Sequence, residues 1–90
     1  MMVNEEIFIK LKQLVLEITP EKSETIDINE ETNLIADLGY TSIELIKLVV
    51  KIESELNFYF KDEYLRFETL IIFGKLYEYV CMMYDEKIKE

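Results

Sequence analysis

Residues 41–44 have the types and the spacing to present a reactive hydroxyl at the start of a helix. Thr41 lies three residues before Glu44, which is the spacing of a capping box. Ser42 then falls in the first turn, where unpaired backbone N–H groups and the positive end of the helix dipole favour a phosphate ester. Because a serine at this place is most often only part of a helix cap, the spacing alone favours a structural role.

Residue types that commonly perform catalysis or bind metals are scarce in this chain. It has no histidine and a single cysteine, Cys81, so the commonest general base, the usual zinc sites and an internal disulfide are excluded. The spacing of Asp27, Asn29, Glu31 and Asn33 faintly resembles a calcium loop but lacks its glycine and its final glutamate. We therefore expect no metal site and do not expect an independent enzyme.

The size and charge of the chain limit its partners. Ninety residues predict one domain over 1–90, and a formal net charge of −9 disfavours nucleic acid and favours basic patches on other proteins. The N-terminus has Asn4, Glu5 and Glu6 where a signal peptide would have basic residues, and no apolar run approaches the length of a membrane span. The expected location is the cytoplasm, without membrane association.

The hydrophobic pattern predicts an all-α protein. One proline and two glycines favour a few helices, which we place at residues 3–18, 42–56, 62–67 and 70–87, the third being short. A long polar loop over residues 20–41 separates the first two helices and needs anchoring. Five apolar residues of the loop are expected to provide it by dipping into the core: Ile26, Ile28, Leu34, Ile35 and Leu38.

The second predicted helix has more apolar surface than one buried face requires. A core stripe is formed by Leu45, Leu48, Val49, Ile52 and Leu56. A separate apolar group, Ile43, Ile46 and Val50, lies nearer to Ser42. Either the loop or a later helix covers this group, or it is an exposed docking patch beside Ser42.

The sequence around Ser42 resembles the acyl/peptidyl carrier protein family. The shared residues are Asp37-Leu38-Gly39-x-x-Ser42-Ile43-Glu44, the apolar spacing through Leu56, and residues 73–80, which are similar to the closing helix of that family. The resemblance implies a four-helix bundle of carrier-protein type with a long first loop and a short third helix. It also implies that Ser42 carries a 4′-phosphopantetheine arm, attached from coenzyme A by a magnesium-dependent transferase, whose thiol holds acyl, aminoacyl or peptidyl groups as thioesters.

The same resemblance implies the protein's partners, namely a phosphopantetheinyl transferase, an acyl- or aminoacyl-loading ligase and downstream synthase enzymes. We expect seven residues to contact them: Tyr40, Thr41, Ile43, Glu44, Ile46, Val50 and Glu53. Thr41 stands where fatty-acid-type carriers usually have aspartate, and Lys47 and Lys51 interrupt a helix that is often acidic in the family. We expect a freestanding, monomeric carrier for fatty-acid, polyketide, nonribosomal-peptide or related acyl-transfer assembly, and these departures favour a specialised pathway over primary fatty-acid synthesis.

An alternative hypothesis remains open at this point. A carrier-like bundle could lack the phosphopantetheine arm altogether and instead regulate or scaffold a partner through its acidic surface. Thr41, directly before Ser42, is the residue that keeps this alternative in consideration.

Overall fold

The computed structural model describes residues 2–20 and 27–88, which form four α-helices. These are α1 (Asn4–Ile18), α2 (Ser42–Leu56), α3 (Phe67–Leu70) and α4 (Phe73–Ile88), with a 3₁₀ turn at Asp62–Tyr64 before α3. Within the described residues there is no strand, only an isolated antiparallel bridge between Asn33 and Ile72. The prediction of an all-α four-helix bundle with a long first loop and a short third helix is confirmed. None of the described helices has the length and apolarity needed to span a membrane.

The core forms where α1 packs against α2 and α4. Each long helix buries one apolar stripe at helical spacing, because residues three and four apart share a face. The ring of Phe73 is fully buried and meets Phe8 edge-on at 5.4 Å between ring centroids. The buried residues of the three long helices are Ile7, Leu11, Leu14 and Val15 in α1, Leu45, Leu48, Ile52 and Leu56 in α2, and Phe73, Leu76, Val80, Met83 and Tyr84 in α4.

The long loop is anchored by apolar residues and by the beginning of α4. Ile28, Leu34 and Leu38 are buried and Ile35 is partly buried, as predicted, whereas Ile26 lies outside the described residues. Loop carbonyls accept hydrogen bonds from two backbone N–H groups at the start of α4. A third hydrogen bond joins the loop to the residues just before α4. These are Gly74 N to Glu30 O at 2.9 Å, Phe73 N to Thr32 O at 2.9 Å and Leu34 N to Ile71 O at 2.7 Å.

Gly74 lets this contact form. A Cβ atom at residue 74 would lie 2.7 Å from the carbonyl oxygen of Glu30, closer than van der Waals contact allows. The glycine that weakens the first turn of α4 by its low helix propensity therefore permits the loop to pack directly on that turn.

The segment between α2 and α4 differs from the prediction. A single helix over residues 62–67 was expected, with Asp62 as its cap and the last helix starting at residue 70. The structure instead has two separate turns, Asp62–Tyr64 and Phe67–Leu70, and no side chain caps the first of them. The last helix begins only at Phe73, because the backbone of residues 71–73 bonds to the long loop.

Candidate functional site

Ser42 is exposed and is the first residue of α2. Thr41 precedes it in an extended conformation, which is usual for a residue that flanks a helix start. The first backbone bond of the helix runs from Leu45 N to Thr41 O at 3.1 Å. The N–H groups of Ser42 and Ile43 therefore lie in the first turn, where no intrahelical carbonyl is in reach, close to the serine side chain.

A carboxylate fixes the start of this helix. The Oε1 atom of Glu44 accepts a hydrogen bond from Thr41 N at 2.7 Å and another from the Thr41 hydroxyl. The capping box predicted from the spacing is confirmed. The pKa of the Glu44 carboxyl is lowered, chiefly by the Thr41 hydroxyl, next by the Thr41 backbone N–H and to a lesser degree by the charge of Lys47. Glu44 is therefore ionised at neutral pH and bound to the residue before Ser42.

Tyr40 anchors the chain that leads into α2. Its side chain is 2 % exposed, and its hydroxyl donates to the carbonyl of Val15 at 2.6 Å. The same carbonyl accepts from the Thr19 hydroxyl at 2.7 Å and from Thr19 N at 3.0 Å, at the end of α1. Burial raises the pKa of Tyr40 to about 12, against the lowering effect of its hydrogen bond with Thr19, and the Glu44 charge adds to the rise.

The position of Tyr40 corrects one prediction. We expected Tyr40 to contact partners, but its side chain lies in the core and cannot reach a partner's surface. The Tyr40 hydroxyl instead fastens the segment before Ser42 to α1.

The motif Asp37-Leu38-Gly39 forms a tight turn before Tyr40. A carboxylate oxygen of Asp37 accepts from Asn33 N at 2.8 Å, and Leu38 is buried. Gly39 has a φ of +75°, a conformation that glycine adopts without steric cost, and Tyr40 N then bonds to Leu34 O at 3.0 Å. The motif thus reverses the chain so that Tyr40 points inward while Ser42 faces solvent.

The apolar group beside Ser42 is exposed. Ile43, Ile46 and Val50 are 63 %, 65 % and 57 % exposed, and we call them the α2 ridge. The sequence left open whether the loop or a later helix covers these three side chains or whether they are exposed. Among the described residues no segment covers them.

Glu53, another predicted contact residue, is bonded within the chain. It is half-buried, and its Oε2 atom accepts from Phe60 N at 2.8 Å. Its backbone carbonyl accepts from Asn57 N and Phe58 N where α2 ends, with Asn57 in the left-handed conformation at φ 60°. The carboxylate therefore stabilises the connection that follows α2.

An apolar groove with a volume of about 390 Å³ opens beside Ser42. Apart from the serine, all of its lining residues are apolar: Leu45, Ile46, Val49 and Val50 of α2, Leu65 of the connection between α2 and α3, and Phe67 and Leu70 of α3. The wall formed by Leu65, Phe67 and Leu70 is not among the features predicted from the sequence. A signal was available, because these apolar residues alternate with charged Arg66 and Glu68 and are therefore placed to cover one side.

Two residues of the pattern that resembles a calcium loop, Asn29 and Asn33, accept hydrogen bonds from the loop backbone through their side-chain oxygens. Asn29 Oδ1 accepts from Glu31 N at 2.8 Å, and Asn33 Oδ1 accepts from the N–H groups of Ile35 and Ala36, each at 2.9 Å. These side chains stabilise turns of the loop. Within the described residues no group of three or more Cys, Asp or Glu side chains is arranged to hold a metal ion.

The structure thus places an exposed serine at the start of a long helix, next to an apolar groove. The sequence model of the phosphopantetheine attachment site family, PP-binding, matches residues 10–70, and the chain belongs to this family. The domain is the attachment site of 4′-phosphopantetheine, and it serves as a carrier that holds thioesters for other enzymes. No solved structure matches the chain significantly.

Proposed function

We propose that Ser42 is the residue to which 4′-phosphopantetheine is attached. The observation that carries the proposal is the exposed Ser42 side chain in the first turn of α2, directly after the Asp37-Leu38-Gly39 turn. Ser42 also falls within the matched range of the family. A hydroxyl in this position is accessible to a transferase and needs no unfolding of the bundle.

The residues around Ser42 fit a phosphodiester. The first-turn N–H groups of α2 and the helix dipole favour a negatively charged group there. The nearby carboxylate of Glu44 is held at Thr41 by two hydrogen bonds. When bound, the group supplies a thiol that forms thioesters, and the chain itself supplies a rigid attachment point anchored through Tyr40.

The cargo that fits the groove best is an apolar acyl chain. The groove begins at Ser42, its other lining residues are apolar, and its volume is in the range of small-molecule sites. An aminoacyl group would place an ammonium against Leu45, Val49 and Leu70 without a charged partner, which is unfavourable. The groove therefore favours an acyl group over the aminoacyl or peptidyl groups that the family also carries.

The partners of this function are a phosphopantetheinyl transferase, an acyl-loading ligase and the synthase enzymes of a specialised cytoplasmic pathway. Thr41 and the lysines of α2 distinguish the surface next to Ser42 from that expected of a fatty-acid-type carrier. This difference supports a dedicated set of partners for the carrier.

Intact-mass spectrometry with coenzyme A, Mg²⁺ and a broad-specificity transferase tests the attachment. We expect the wild-type protein to gain the mass of one phosphopantetheine group and Ser42→Ala to gain none. Ser54→Ala is the matched control, because Ser54 is also an exposed serine of α2, and it should be modified like the wild type. Lack of modification in a folded wild-type protein would favour the alternative of a carrier-like module without the arm.

A second experiment tests whether the groove prefers an acyl group to an aminoacyl group. The protein is loaded with an octanoyl or an alanyl thioester, and backbone amide shifts are compared with those of the unloaded form carrying phosphopantetheine. The octanoyl group should shift the amides of Leu45, Val49 and Leu70, which line the groove, and the alanyl group should leave them nearly unchanged. Equal effects of both groups would contradict the acyl preference.

A further inference from the structure

The carboxylates of α2 are already engaged within the chain. Each of its three glutamates is hydrogen-bonded or ion-paired: Glu44 with Thr41, Glu53 with the N–H of Phe60, and Glu55 with Lys10 at 3.7 Å. A partner that bound to these carboxylates would compete with the contacts that they already make within the chain. The carboxylates of α2 are therefore less available to a partner than side chains of the helix that have no bond within the chain.

The lysines of α2, in contrast, are not bonded to other residues in the described part of the chain. Lys47 and Lys51 are both exposed, and neither forms an ion pair or a side-chain hydrogen bond with any residue in the described part of the chain. Lys47 follows Ile43 by four residues and Lys51 follows Lys47 by four, so the two ammonium groups are neighbours along one edge of the α2 ridge. The opposite edge of the ridge borders the groove and Ser42.

We propose that the partners which dock on α2 present an apolar pocket for the ridge of Ile43, Ile46 and Val50, bordered by carboxylates that bind Lys47 and Lys51. This rests on the proposed function, because it specifies the chemistry of the enzymes that reach Ser42. The net charge of −9 over the whole chain does not oppose it at close range. At physiological ionic strength charges more than about 8 Å away are largely screened, so the charges next to the ridge count most.

Exposed apolar side chains support the same assignment. Three large aliphatic residues, each more than half exposed, adjoin one another on one helix, which is typical of an interaction surface. An apolar centre with a charged edge matches the usual anatomy of protein interfaces. The edge charge that is free to select the partner is positive.

Two designed helical peptides provide the test. They share one leucine stripe, and glutamates flank the stripe in one peptide while lysines flank it in the other. Each is titrated into ¹⁵N-labelled protein at about 0.15 M salt, and dissociation constants are taken from the amides of residues 43–51. We expect the glutamate peptide to bind about tenfold more tightly than the lysine peptide, since complementary charges select the partner.

Charge variants assign the preference to the two lysines. Lys47→Glu/Lys51→Glu should reverse the preference, and the neutral Lys47→Gln/Lys51→Gln should remove it even if the doubly reversed variant folds poorly. The control, Lys12→Glu/Lys75→Glu, changes the net charge equally on α1 and α4 and should keep the preference for the glutamate peptide.

Three outcomes would overturn the proposal: tighter binding of the lysine peptide to wild-type α2, no shift at residues 43–51 with either peptide, or an unchanged preference in both Lys47 and Lys51 variants. Attachment of phosphopantetheine to Ser42 is measured independently by mass. A failure of the docking chemistry is therefore distinguishable from a failure of the proposed function.

Discussion

Replacing Tyr40 with phenylalanine tests how the segment before Ser42 is held. The substitution keeps the buried ring and removes the hydroxyl that donates to Val15 O at 2.6 Å. The Val15 carbonyl keeps its two bonds from Thr19, so it is not left unpaired. At pH 7 we therefore expect a loss of about 1 kcal/mol in the free energy of unfolding, the usual net value of one hydrogen bond.

The same variant should change the response to alkaline pH. The pKa of Tyr40 is raised from 10.0 to about 12, so the folded state retains a proton that the unfolded chain loses. Stability from this group is present below pH ~10 and is lost as pH rises through the folded pKa. A shift of two units corresponds to a loss of roughly 2–3 kcal/mol when complete, and about half of that at pH 11. Tyr40→Phe should lack this loss.

Urea unfolding followed by circular dichroism at pH 7, 10 and 11 measures both effects. Tyr59→Phe is the matched control, because Tyr59 is 86 % exposed and its hydroxyl makes no hydrogen bond within the described residues. Other groups that titrate in this range, including Tyr77 with a pKa raised by burial, cancel when the variants are compared. If Tyr40→Phe loses as much stability as wild type between pH 10 and 11, the anchoring role of Tyr40 is refuted.

Three further predictions concern the loop, the helix start and the groove. Gly74→Ala should lose about 1–2 kcal/mol in urea unfolding, because the new methyl would overlap Glu30 O by more than alanine's helix propensity offsets. Thr41→Val should raise the pKa of Glu44 toward its ordinary value in a carbon-detected NMR titration; the stability that this carboxylate contributes is lost as pH falls through its folded pKa, and because the folded and unfolded pKa values lie closer together in the variant, the variant should lose less stability than the wild type on acidification. Octanoyl loading should raise the thermal midpoint of the wild-type protein but not of Val49→Asp, whose carboxylate would occupy the apolar groove.

The parts of the fold that could be predicted are those with repeated local signals. The bounds of α2 follow from the capping spacing at its start and from an apolar stripe that continues to Leu56, and the structure matches them. Pro20 and the spacing of the apolar residues likewise define α1 to within one residue.

The parts that could not be predicted depend on contacts between distant segments. The start of α4 is set by bonds from residues 71–74 to the long loop, which leave no periodic signal in the sequence. The internal hydrogen bonds of Tyr40 and Glu53 could not be predicted for the same reason, because the Val15 carbonyl and the Phe60 N–H are brought to them only by folding. The exposure of the α2 ridge depends in the same way on where the other helices pack.

Tandem mass spectrometry of the protein purified from its own host is the decisive measurement, because it locates any phosphopantetheine on a particular residue. We expect a phosphodiester on the peptide that contains Ser42, with the fragment masses assigning it to that hydroxyl. A group located on Ser54 or on Thr41, or a fully unmodified peptide from cells that modify their other carriers, would show that Ser42 is not the attachment residue.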